Sequence, residues 1–255
     1  MKIAEHIEAL RDQGAQLADA AGRAGLDAPV PPCPPWRVRD LLRHTGYIHR
    51  WAARHITERP AHVIDGPPEA AILVGGAADP ELLAWFRAGH AALVEVLSAA
   101  DPALQCATFL DAPSPLAFWA RRQAHETAIH RADADSACGV MSAYAAPFAA
   151  DGIDELIMGF GQRRRYRPSP GHDGAVTVRA ADTGDAWQLT AEAGRFQARR
   201  EPGNPGQAGC VVTGPASGLY LFLWNRCDAR QARVTVTGDP ALLASWQSSV
   251  RVRWS

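Results

Sequence analysis

Cysteine is scarce in this chain, and its spacing excludes two kinds of site. The 255 residues include five cysteines, which are widely separated and form no Cys-x-x-Cys pair. An odd, scattered set of this kind is not the framework of a disulfide-stapled domain, and it lacks the spacing of a cysteine-based zinc site. We therefore expect reduced thiols, and any metal must be held by other residue types.

Excess charge and long apolar runs are also missing. The formal net charge is −1, so we expect neither a nucleic-acid-binding surface nor a polybasic membrane patch. No uncharged apolar run reaches the ~18 residues needed to span a bilayer. The N-terminus has an early acidic residue, Glu5, and no apolar segment of a signal peptide. These absences predict a cytoplasmic protein that binds neither nucleic acid nor membrane.

The first 160 residues show helical periodicity and almost no strand pattern. Apolar residues recur at helical spacing over residues 3–24, and a second helix is predicted over residues 38–58, after a proline-rich connector. Asp-Pro and Ser-Pro pairs at 79–80 and 114–115 are start signals for two more helices. A shorter fifth helix is predicted over residues 147–160. This half of the chain therefore reads as a helical bundle.

Beyond a basic linker that contains proline and glycine, at residues 162–171, the apolar period falls toward two. Helical stretches are predicted at residues 217–227 and 239–250. The chain is therefore predicted to be a two-domain α+β protein, with a helical bundle at residues 1–165 and a small α+β domain with a mostly antiparallel sheet at residues 166–255. The predicted strands lie at 176–178, 187–190, 195–198, 211–213 and 234–237.

The fourth predicted helix carries a pair of metal-ligand side chains. Glu126 and His130 are four residues apart, which places them on one helix face about one turn from each other. His44, on the second predicted helix, can supply a third ligand if the two helices pack together. Two histidines and one carboxylate leave a coordination position open, as catalytic rather than structural metal sites do.

The three candidate ligands lie on helix faces that also carry large apolar residues, which favours a buried site. Two alternatives remain open from the residues alone. Glu126 and His130 can form an ordinary pair on the helix surface, and His49 can take the place of His44. His125 cannot share an ion with His130, because five residues separate them by about 140° around the helix. The residues that share these helix faces are Trp119, Gln123, Glu126 and His130 on the fourth predicted helix, and Leu41, His44, Ile48 and Trp51 on the second.

Several segments, spread over nearly the whole chain, resemble the mycothiol-dependent maleylpyruvate isomerase family. The resemblance implies an N-terminal domain of the DinB-like superfamily, which consists of metal-binding four-helix bundles, followed by the family's C-terminal domain. Each motif is short, but the combination is specific. The matching segments are residues 36–44, 125–134, 151–155, 182–187, 212–216, 221–226 and 237–243.

The resemblance also implies the ligands and cofactors. His44, Glu126 and His130 match the family's metal ligands, which implies one Zn²⁺ per chain, although the same set suits another divalent metal such as non-haem iron. Mycothiol is implied as the thiol cosubstrate. Arg226 matches an arginine of the C-terminal domain near the active site, and would act in catalysis and in binding the cosubstrate. Alternatively, Arg226 caps the C-terminus of its helix.

The implied chemistry is nucleophilic attack by a zinc-bound thiolate on a small electrophile. In the isomerase interpretation the thiolate adds to a cis double bond, the adduct rotates, and expulsion of the thiolate gives the trans product. An alternative is a mycothiol S-transferase that conjugates or exchanges thiols on an electrophile. A further alternative is a non-catalytic module that binds metal or thiol. The expected partners are the electrophile and the low-molecular-weight thiol, and we expect a monomer.

Overall fold

The computed structural model describes residues 1–169, 171, 173–200 and 208–252, and its contacts divide the chain into two compact units. The first unit is Met1–Ser142, and the second begins at Ala143. The domain boundary predicted between residues 165 and 166 lies further along the chain and stays a prediction.

Four long helices and one short helix make up the first unit. The long helices begin at the residues that the periodicity and the proline start signals indicated, to within one residue. The short one was not predicted, because six residues are too few to show a helical period. The helices are α1 (Ile3–Ala24), α2 (Val38–Glu58), α3 (Glu69–Val74), α4 (Asp79–Ala99) and α5 (Pro115–Ala137).

The long helices form the expected four-helix bundle, with a crossed chain order. Both α1 and α2 pack against α4 and α5, whereas α1 and α2 scarcely touch each other. The pairs α1–α2 and α4–α5 therefore lie diagonally across the bundle, whereas α2 and α4 are neighbours. The connector of residues 25–37 joins the first diagonal pair. Leu17, Leu41 and Phe86 are fully buried in the core that the helices share.

The composition of α4 admits a second interpretation. It is long and apolar enough to cross a membrane, although core helices of globular proteins often meet the same two criteria. Its Leu82, Phe86 and Leu93 side chains are buried against the rest of the bundle. One face of α4 therefore packs within the bundle.

The second unit begins with α6 and continues as a sheet with two further helices. The predicted fifth helix appears in two parts, an α-helix followed by a π-helical turn. The elements are α6 (Ala146–Asp154), the π-helical turn (Glu155–Phe160), β1 (Gly174–Ala180), β2 (Ala186–Glu192), β3 (Arg195–Arg200), β4 (Cys210–Gly214), α7 (Ala216–Leu223), β5 (Thr235–Gly238) and α8 (Pro240–Ser249).

The sheet has the strand order β3-β2-β1-β4-β5 and is mostly antiparallel, as predicted; among the described strands, β1 and β4 are the one parallel pair. Val178 of β1 lies opposite Trp187 of β2 and Val212 of β4, and all three are fully buried. The indole of Trp187 donates to Oδ1 of Asp154 over 3.0 Å, which ties the sheet to α6.

Two glycines of α1 lie in opposite environments and provide a test of the bundle packing. A Cβ atom at Gly14 would clash with the buried ring of His90, which bonds the carbonyl of Leu10 over 2.9 Å. Gly22 is exposed, and its nearest neighbour, Leu83, would lie 3.7 Å from an added Cβ. We expect Gly14→Ala to lower the free energy of unfolding by about 1–3 kcal/mol.

The matched Gly22→Ala variant should raise the same free energy by about 0.5–1 kcal/mol, because alanine restricts the unfolded chain and favours the helix. Urea titration of both variants measures the difference. Equal effects of the two substitutions would contradict the close approach of α1 to α4.

Candidate metal centre

The structure brings His44, Glu126 and His130 together inside the helical unit. Oε1 of Glu126 lies 3.2 Å from Nε2 of His130 and 3.5 Å from Nε2 of His44. One ligand atom from each residue lies within 4.8 Å of the other two. The helix pair α2 and α5 thus places the three predicted side chains around one point.

The start of α5, the helix that carries Glu126 and His130, is fixed by its first residues. Oγ of Ser114 accepts from the backbone nitrogen of Ala117 over 3.1 Å, and Pro115 follows in the first turn. Both features fix the beginning of a helix. From this start the four-residue spacing carries both side chains to the same face.

The site is largely shielded from water. His44 and His130 are 4% and 6% exposed, and the side chain of Glu126 is 18% exposed. The alternative of an ordinary surface pair is therefore wrong, since both imidazoles are in the interior. The remaining exposure of Glu126 leaves the site an opening to solvent.

Glu126 stays ionised although its side chain is largely buried. Nη2 of Arg122 donates to Oε2 of Glu126 over 2.9 Å. Burial alone would raise the pKa of Glu126, but hydrogen bonds with His130 and His44 and the charges of His130 and Arg122 hold it well below its usual range. A carboxylate that stays ionised is the form that binds a metal.

The two histidines differ in their surroundings. Nδ1 of His130 donates to Oδ2 of Asp133 over 2.8 Å, and Asp133 is fully buried. Although burial lowers the pKa of His130, the hydrogen bonds to Asp133 and Glu126 raise it to about 9. The pKa of His44 is lowered, chiefly by burial. The Asp133 contact leaves Nε2 of His130 directed at Glu126.

Sequence reasoning gave no role to Asp133 or Trp36, which both touch the site. Asp133 follows His130 by three residues, so helix spacing could have identified it. Trp36, on the connector between α1 and α2, lies with its ring centroid 4.9 Å from that of His44 and 6.2 Å from that of His130. Its position depends on the path of an irregular segment, which no periodic pattern reveals.

His49 does not replace His44. Its Nε2 lies 2.9 Å from Oγ1 of Thr127, and its ring packs against Phe86 and His90. Burial holds its pKa well below the usual range. His49 is therefore a neutral core histidine outside the group of three.

Arg226 lies in the second unit, just after α7. Its Nη1 donates to the carbonyl of Trp224 over 2.8 Å, and its backbone nitrogen donates to the carbonyl of Leu221 over 2.8 Å. The first contact is of the helix-capping kind that the sequence left open. A role of Arg226 in catalysis or cosubstrate binding stays a prediction.

The donor set fits a divalent metal ion. Two imidazole nitrogens and an ionised carboxylate converge, and an outer carboxylate orients one imidazole, as in many metal sites. Nitrogen and oxygen ligands of this kind suit zinc, and they also suit non-haem iron. An ion held by these three side chains would keep at least one position open to a small molecule.

Comparison with known families finds matches over most of the chain. Residues 7–135 match the mycothiol maleylpyruvate isomerase N-terminal domain, and residues 147–245 match the MDMPI C-terminal domain. No curated protein matches the chain.

Two solved structures share the fold. The crystal structure of the mycothiol-dependent maleylpyruvate isomerase is 15% identical, with a TM-score of 0.62 over 94% of this chain and 95% of that chain. A histidine-to-alanine mutant of that isomerase is 14% identical, with a TM-score of 0.63 over the same shares of both chains. At this identity the likeness establishes the fold.

Removal of one ligand tests the group of three. We expect the purified protein to bind about one zinc per chain, and His130→Ala to lose it, because two ligands cannot hold the ion against a chelator. Metal content after zinc loading and dialysis against a chelator measures the difference. His62→Ala, at an exposed position, is the control. Equal zinc contents in the two variants would contradict the predicted ligand set.

Proposed function

Because the chain belongs to the mycothiol maleylpyruvate isomerase family, we propose that it is a metal- and mycothiol-dependent enzyme that converts the cis double bond of a small electrophile to trans. The observation that carries the proposal is the convergence of His44, Glu126 and His130, whose ligand atoms lie within 4.8 Å of one another. Zinc is the proposed ion, bound once per chain by these three side chains.

The residues of the site prepare it for a bound ion. Glu126 and Arg122 form an ion pair with an N···O distance of 2.9 Å, which keeps the carboxylate ionised and in place. His44 is neutral because burial lowers its pKa, so it can offer a nitrogen lone pair. When bound, a divalent ion lowers the pKa of a thiol that coordinates it, and so supplies a nucleophile at neutral pH.

Three of the five cysteines, Cys106, Cys210 and Cys227, are poorly suited to act as the nucleophile, which favours an external thiol. Burial raises the pKa of Cys106 and Cys210, and raises the pKa of Cys227 to about 11. A thiol with a raised pKa carries little thiolate at neutral pH. Mycothiol, the thiol in the family's name, is the proposed cosubstrate.

Arg226 is proposed to bind a carboxylate of the substrate or of mycothiol. Its planar guanidinium suits bidentate contact with a carboxylate. Its Nη1 also donates to the carbonyl of Trp224, the helix-capping contact. A monomeric state and a cytoplasmic location remain predictions.

A reconstitution experiment tests the function. Zinc-loaded protein is mixed with mycothiol and a cis-enedioyl acid such as maleylpyruvate, and the product geometry is followed by proton NMR. We expect cis-to-trans conversion that requires both zinc and mycothiol, and that is lost in Glu126→Gln. Arg226→Lys should raise KM more than it lowers kcat, because the charge stays while the forked geometry is lost.

The products separate this proposal from its alternatives. A stable thioether that accumulates in step with the consumption of mycothiol would make the protein an S-transferase. Thiol binding without turnover would make it a non-catalytic module. Conversion that continues after removal of zinc and mycothiol would contradict the proposal. His62→Ala serves again as the control that should retain full turnover.

A further inference from the structure

We propose that the connector between α1 and α2 is an outer part of the metal centre. In this arrangement Cys33 holds Asp133, Asp133 holds His130, and Trp36 packs against the two imidazoles. All three are positioning residues, which orient the ligands before the ion binds. The inference rests on the proposed metal site and adds the residues that set its affinity.

Asp133 is the link between the connector and the ligand. Its side chain is fully buried, and a buried carboxylate is costly unless hydrogen-bond donors surround it. Its Oδ2 accepts from Nδ1 of His130 over 2.8 Å and from Sγ of Cys33 over 3.5 Å. The two donors are 97 positions apart in sequence, at 33 and 130, and meet at one oxygen atom. Asp133 thus joins α5 to the connector.

The connector is itself held in place, so it can position Cys33. The backbone nitrogen of Val30 donates to the carbonyl of Trp36 over 2.9 Å, and that of Trp36 donates to the carbonyl of Cys33 over 2.8 Å. Val30 is 1% exposed and belongs to the bundle core. An anchored turn of this kind fixes Cys33 relative to α5 at little entropic cost on metal binding.

Trp36 restrains the other imidazole. Nδ1 of His44 is buried and has no hydrogen-bond partner among the described residues. Trp36 lies against that ring, with 4.9 Å between centroids, and stacks on His130 with an interplanar angle of 29°. His130 is therefore oriented by the buried carboxylate of Asp133, which the connector contacts through Cys33. His44 is oriented by packing against Trp36, which belongs to the connector.

These contacts predict graded losses of metal affinity. Loss of an outer carboxylate that orients a histidine ligand lowers metal affinity by about 10–100-fold. We expect Asp133→Asn to fall in that range, because the neutral amide holds Nδ1–H less strongly. Cys33→Ala should weaken binding by a smaller factor, whereas Cys33→Ser keeps a donor and should stay closer to the wild type.

The test is a zinc titration of the full chain in competition with a chromophoric chelator. Cys138→Ala is the matched control, since Cys138 is also half-buried and its Sγ donates elsewhere, to the carbonyl of Ala20 over 3.4 Å. Trp36→Ala should weaken binding more than Trp36→Phe, which keeps an aromatic ring. The visible spectrum of the cobalt-loaded protein reports whether the ligand geometry changes with Asp133.

The outcomes distinguish this inference from the proposed function. If Asp133→Asn and Cys33→Ala bind zinc as tightly as the wild type does, the positioning roles are overturned and the metal site stands. A wild type that takes up no zinc would overturn both. Thermal unfolding of the metal-free variants supplies the last comparison. If the variants that bind zinc more weakly are also less stable without metal, to a matching degree, the connector has a structural role only. That result would also overturn the inference.

Discussion

The ionised carboxylate of Glu126 is the group on which the rest of the site depends. A carboxylate in a largely buried position is costly unless opposite charge or hydrogen bonds compensate it. Here Arg122 and the imidazoles of His44 and His130 surround it, and together they hold its pKa well below the usual range. Without a metal, the raised pKa of His130 keeps a proton beside the carboxylate. A divalent cation at the same point would compensate the charge of the carboxylate in the same way, so the cluster is suited to hold an ion in place of that proton.

The crossed order of the bundle makes this convergence possible. Because α1 and α2 lie diagonally, α2 can pack beside α5, and His44 meets two residues that follow it by more than eighty positions. The connector of residues 25–37 joins this diagonal pair, and its two ends meet where the backbone nitrogen of Arg39 donates to the carbonyl of Leu26 over 3.1 Å. Between these ends, Trp36 lies against His44 and Cys33 donates to Asp133, so the connector also reaches the candidate site. In this way the chain order contributes to the chemistry as well as to the fold.

Periodic features were predictable from sequence, and irregular ones were not. The bounds of α1 and α2 follow from apolar spacing, and the strands of the second unit follow from alternation and turn residues. Glu126 and His130 could be predicted as a pair because residues four apart in a helix lie on the same face, about one turn from each other. The contact between Cys33 and Asp133 spans 100 positions and depends on a non-repeating connector, so no local pattern encodes it. The choice between His44 and His49 likewise required the rotation of α2, which leaves His49 against Thr127 in the core.

X-ray absorption at the zinc edge, recorded with and without mycothiol, tests the central claim most directly. The account predicts only nitrogen and oxygen ligands in the thiol-free protein, at about 2.0–2.2 Å, and a new sulfur ligand at about 2.3 Å after mycothiol is added. That result would place the thiol at the position left open by His44, Glu126 and His130. A spectrum unchanged by mycothiol, or a sulfur ligand already present in its absence, would contradict the account.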